Sequence, residues 1–96
     1  MPGPAARGRG QWPHMTFDDV PDEGLRAACV LVQDVAAALL AQLEDGKLAE
    51  VSKRELARRA GVGQATLWPL LAGTLWPRID TLMRVAQAAG LRISVL

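Results

Sequence analysis

From Leu25 onward the apolar residues of this chain recur at helical spacing. Leu25, Cys29, Val32, Val35, Ala36, Leu39, Leu40 and Leu43 fall three or four positions apart, while Arg26, Gln33, Asp34, Gln42 and Glu44 take the other side. That period predicts an amphipathic helix. Asp22 and Glu23 suit its positively polarised start, and Gly46 can close it in a left-handed cap. Val30, Leu31, Ala37 and Ala41 widen the stripe beyond what one short partner helix covers, which predicts a second contact surface. Ser52 and Glu55 then spell S-x-x-E ahead of an apolar run, a capping box that opens a second helix. Leu56, Ala57 and Ala60 form its inner face, and Gly61 ends it. Gly63 can serve as the N-cap of a third helix that runs to about Ala72, before Gly73. A fourth follows Pro77, carried by Ile79, Leu82, Met83, Val85, Ala86 and Ala89 and stopped by Gly90. The last six residues, LRISVL, alternate instead, with Leu91, Ile93 and Val95 on one side, which is the pattern of a strand.

One residue disturbs this scheme. TLWP occurs twice, at residues 66–69 and 74–77. The second copy puts Pro77 in a turn, with Trp76 predicted as a plug beneath it. The first puts Pro69 at the sixth position of the third helix. A proline there removes a hydrogen bond to the Ala65 carbonyl and crowds it, at a cost of roughly 3 kcal/mol in a helix interior, and it pushes Trp68 away from helical angles. Leu70 and Leu71 keep their core spacing, so the expectation is a kinked helix, not a broken one.

Ahead of the helices, MPGPAARGRGQWPH is too rich in Pro and Gly to bury much and predicts a flexible arm. Met15 is an alternative start of the chain. The expected organisation is an arm over residues 1–20, a helical domain over 21–90 and a C-terminal strand over 91–96. Half of the residues are hydrophobic, yet only one is Phe and none is Tyr, so the core must be aliphatic. No uninterrupted apolar run approaches the roughly 18 residues of a membrane span, and no secretory signal opens the chain, so a cytoplasmic protein without a membrane partner is expected.

Cys29 is the single cysteine and lies on the apolar stripe, which predicts a buried, inert thiol and excludes an intrachain disulfide. His14 is the single histidine, far from it in the arm. These parts assemble neither a catalytic constellation nor a metal site, so no enzyme, no metal and no cofactor are expected. The net charge is only +1, but it is unevenly spread. Residues 1–50 balance at −4, and residues 51–96, with seven basic side chains against Glu55 and Asp80, at +5. A basic half on a nearly neutral chain suits a polyanion; a solvated arginine-rich helix face would produce the same count.

Two short helices around Ala57, Gly61, Leu67 and Leu70 have a mechanical logic. Ala57 must be small where the next helix crosses it, Gly61 must reach positive φ to turn the chain, and Leu67 and Leu70 lock the second helix to the first. SKRELARRAGVGQATLWPLLAG followed by PRIDTLMRVAQAAG resembles the lambda repressor/Cro-type (Xre-family) helix-turn-helix proteins over about residues 52–90. The likeness rests on Glu55, Leu56, Ala57, Gly61 and Val62, and on Gly73, Pro77, Thr81 and Leu82. It implies an all-α, lambda repressor-like bundle of four to five helices, here with a short C-terminal β-strand. It also implies binding to double-stranded DNA through the third helix, usually as a homodimer on a palindromic operator.

On a helical wheel Gln64, Ala65, Trp68, Pro69 and Ala72 share one face, and Thr66, Leu67, Leu70 and Leu71 the other. The resemblance implies that Gln64, Ala65 and position 69 reach base edges, and that Lys53 and Arg78 meet phosphates. Gln64 can pair bidentately with adenine, and Ala65 can touch a thymine methyl. The candidate DNA-binding residues are Lys53, Gly63, Gln64, Ala65, Thr66, Trp68 and Arg78, although the wheel turns Thr66 toward the core. Pro69 stands where relatives commonly carry Arg, Lys or Gln. Trp68 either meets the groove or packs beside Pro69 as a patch for a protein partner.

A sequence-specific transcriptional repressor, phage-type or antitoxin-type with a toxin as candidate partner, is the first expectation. A protein-interaction module on the same scaffold, with an altered reading face, is the second. In the dimer, LRISVL would pair antiparallel with its copy in the other chain, as in some antitoxins of this family.

Overall fold

The computed structural model describes residues 2–44 and 53–93. Four α-helices are found among them: α1 Glu23–Glu44, α2 Lys53–Ala60, α3 Gln64–Ala72 and α4 Ile79–Ala88. The starts of α1, α3 and α4 and the stops of α2, α3 and α4 fall where the periodicity and the glycines put them. Asp22 caps α1, its carboxylate accepting the Leu25 amide at 3.0 Å and its carbonyl the Arg26 amide at 2.9 Å, so it lies just outside the first turn. Gly63 precedes α3 with extended backbone, and its carbonyl accepts the Thr66 and Leu67 amides, each at 3.0 Å. The expected capping residue Ser52 and the stop at Gly46 lie outside the described residues.

The last three helices end alike. Gly61, Gly73 and Gly90 have φ of 71°, 74° and 74°, a conformation that side-chain-bearing residues adopt only at a cost. In each case the amide of the glycine and that of the next residue fold back onto helix carbonyls: Val62 to Ala57 at 3.0 Å, Thr74 to Pro69 at 3.0 Å, Leu91 to Ala86 at 2.8 Å. These are Schellman closures, which satisfy carbonyls that a helix end leaves bare.

Val35 and Leu39 of α1, Leu56, Ala57 and Ala60 of α2, Leu67, Leu70 and Leu71 of α3, and Leu82 and Val85 of α4 form one buried cluster. It is the aliphatic core that the composition required. Helix α1 packs against α3 and α4, and α2 against α3 and α4. Residues Glu23–Leu43, with mean hydropathy 1.6, are long and apolar enough to cross a membrane. The apolar run is interrupted, but a few charges leave a long helix apolar on average. In the fold Cys29, Val32, Val35, Ala36 and Leu39 of that helix are buried, as a core helix requires. Val30 and Ala41, from the wide stripe, remain exposed.

The arm is where structure and sequence part most. Residues 2–20 are not splayed from the bundle but folded onto it. Pro4–Ala6 make one 3-10 turn against α1, and Arg9 and Thr16 exchange backbone hydrogen bonds at 3.0 and 2.9 Å across a tight reversal. Phe17 and Val20 are buried with Cys29 in a second cluster, joined by Trp12, Met15, Leu25 and Trp76. Gln33, assigned to the polar side of α1, is only 8% exposed. Its amide oxygen accepts the Met15 amide at 2.8 Å and its amide nitrogen donates to the Met15 carbonyl at 3.1 Å. Burial of Phe17 and Val20 and this two-way clamp supply what the Pro/Gly-rich composition did not suggest.

No strand occurs among the described residues. Leu91 and Ile93 both pack on the main cluster while Arg92 is exposed, so the alternation is real but serves the monomer core. Residues 94–96, half of LRISVL, lie outside the described residues, and the pairing expected of the segment with a second copy falls in part on them.

Candidate nucleic-acid interface

The α2–α3 hairpin is built by the residues its sequence singled out. Leu56 and Ala57 are buried in one cluster with Leu67 and Leu70, and Gly61 makes the turn. A Cβ on Gly61 would meet nothing within 4 Å, so positive φ, not crowding, is the reason for glycine there. Locking Leu67, Leu70 and Leu71 inward leaves the other side of α3 to solvent. Gln64, Ala65 and Ala72 are exposed, and Trp68 is 39% exposed. Thr66 and Pro69 are half-buried. Thr66 is thus held between the two faces, its amide tied to Gly63.

Helix α3 runs unbroken through Pro69. The main-chain carbonyl of Pro69 helps close the helix end: it accepts both the Thr74 amide at 3.0 Å and, at 3.4 Å, the Thr74 hydroxyl. Beyond it the arm closes over the helix end. Trp12 donates its indole N–H to the Leu71 carbonyl at 2.8 Å, and a Cβ on Gly73 would come within 2.5 Å of the Trp12 ring. The Ala5 amide donates to the Gly73 carbonyl at 2.9 Å. Trp76 plugs the second cluster, not the main core, and donates to the Pro2 carbonyl at 2.7 Å. Trp12 stands outside every periodic stretch of the sequence. The one signal for it was a large aromatic stranded among prolines and glycines.

Cations stand at the starts of the neighbouring helices. Lys53 and Arg54 are exposed in the first turn of α2, and Arg78 is exposed at the N-cap of α4. Arg54 shares the exposure and the helix-start position that make Lys53 a candidate. Arg78 lies 3.2 Å from the Asp80 carboxylate, which also holds Arg84 at 3.2 Å. Partial desolvation raises the Asp80 pKa, but the Thr81 amide and the two arginines outweigh it and hold it below the usual carboxylate value. Glu55 likewise sits below its usual value, chiefly through its hydrogen bond to Arg58, with Arg59 adding to it. The Cys29 thiol is fully buried, and burial pushes its pKa up against a weaker pull from Arg7.

Among the described residues no group of three or more His, Cys, Asp or Glu could hold a metal. What the arrangement can do is present one amide, methyl groups and an indole on a helix flanked by positive charge. Comparisons of the chain with family models, with curated proteins and with solved structures return no match.

Proposed function

We propose that this chain is a sequence-specific DNA-binding regulator, a repressor built on a lambda repressor/Cro-type helix-turn-helix in which α3 enters the major groove. The observation that carries the proposal is the α2–Gly61–α3 hairpin. Its packing leaves Gln64, Ala65 and Trp68 outward, with Lys53, Arg54 and Arg78 exposed at the starts of the flanking helices. Gln64 pairs with an adenine edge; the cations neutralise phosphates and contribute affinity without sequence preference. A dimer of this chain would place two α3 helices in successive grooves of a palindromic cytoplasmic operator. In an antitoxin version of the same reading, a toxin would be the further partner.

Selection from random duplexes, followed by salt titration, tests the reading. Gln64→Ala should weaken the selected site by about 1–3 kcal/mol and relax one base position. Lys53→Ala should weaken all sequences alike and lower the salt slope by about one. No enriched site and no salt slope would leave the second reading, a protein-interaction module. That reading draws its support from the exposed Trp68 on an uncharged helix.

A further inference from the structure

We infer that the bases this chain recognises are chosen by their methyl groups: thymine, and 5-methylcytosine standing in thymine's place. The inference rests on the DNA-binding proposal above and adds the chemical class of the recognised bases.

Helix α3, QATLWPLLA, has no ionisable side chain, whereas α2, KRELARRA, has five. Guanine is commonly read by a bidentate Arg or Lys, and the cytosine amino group by a carboxylate. Neither is available on α3. Its outward side chains offer one amide, on Gln64, and apolar surface on Ala65, Trp68 and Ala72. In the major groove the one apolar feature that distinguishes a base is the C5 methyl.

The placement fits a run of such methyls. Ala65, Trp68 and Ala72 follow at steps of three and four and so form a single stripe. At 1.5 Å per residue the stripe is about 10 Å long, roughly three base steps of 3.4 Å. Trp68, 39% exposed, is one of three large apolar side chains left to solvent among the described residues, and the one on this stripe. Lys53 and Arg54 are exposed at the start of the helix before this uncharged one, and Arg78, paired with Asp80, at the start of the helix after it. The occupant they complement therefore carries negative charge outside and methyls within.

The test uses the full chain and its selected duplex, measured by fluorescence anisotropy. Each thymine is replaced singly by deoxyuridine, which removes the methyl and leaves every hydrogen-bonding group. Two or three adjacent positions should each weaken binding about fourfold, the worth of one buried methyl, with the salt slope unchanged. At those positions a 5-methylcytosine·guanine pair should bind more tightly than cytosine·guanine. Trp68→Ala should abolish the uracil penalty at one position and keep it at the others. A selected site bound with a normal salt slope but indifferent to uracil throughout would overturn the methyl inference and leave DNA binding standing. Absence of both an enriched site and a salt slope would overturn both and assign the stripe to a protein.

Discussion

Replacing Pro69 by alanine asks what holds α3 together. In a helix interior proline costs about 3 kcal/mol relative to alanine, through the missing amide and the clash with the turn before it. Two effects oppose the gain. The ring is half-buried, and losing about one methylene of burial forfeits about 0.8 kcal/mol. Proline also stiffens the unfolded chain, and releasing that restraint costs about 0.4–1 kcal/mol. The balance is a stabilisation of about 1–2 kcal/mol, or a rise in Tm of about 5–15 °C at this chain length. Thermal and urea unfolding followed by circular dichroism would measure it, with an unchanged m-value to certify that the same surface is exposed. The Thr74 amide and hydroxyl would keep their acceptor, since the carbonyl of residue 69 survives the change. A midpoint equal to or below that of the parent would refute the reasoning: the ring would then contribute more by packing than its missing amide removes.

Two other outcomes follow from the contacts described. Trp12→Ala should cost about 2–3 kcal/mol in urea, by loss of ring burial and of a hydrogen bond, and Trp12→Phe about 1 kcal/mol; equal losses for both would place all of the effect in the bond. The folded-state pKa of Glu55 is lowered, so its contribution is present above the ordinary carboxylate range and is lost as pH falls through the depressed value. Glu55→Gln should therefore flatten the acid limb of a stability-against-pH curve, and an unaltered limb would assign the acid sensitivity to other carboxylates.

The helices were legible because their determinants are local. The stripe of α1 and the glycines at 61, 73 and 90 act within a turn or two, and the hairpin of Ala57, Gly61, Leu67 and Leu70 packs at the offsets its sequence displays. The arm was illegible for the opposite reason. Trp12 finds its partners at Leu71 and Gly73, and Trp76 finds its own at Pro2, pairings that no periodicity encodes. Gln33 was misassigned because a wheel knows polarity but not that a passing backbone needs an amide. Gln64, Ala65, Trp68 and Ala72 lie outward as the wheel places them, since three buried leucines determine that side; Thr66, turned toward the core by the wheel, and Pro69, turned outward, are both half-buried.

The arm also has a consequence for the order of assembly. Its indole contacts close intervals of 59 and 74 residues, against a few residues for the turns that join α2, α3 and α4. Closure entropy grows with the interval, and distant contacts slow folding. The helical core can collapse while the arm is still searching, and the clasp on the end of α3 forms last. By the same logic it opens first, as a separate unit below the global unfolding free energy. Hydrogen exchange at the Trp12 indole and the Ala5 amide should then outpace exchange in α1 and α4. The end of α3 would thereby be bared and covered again many times within the lifetime of one folded molecule.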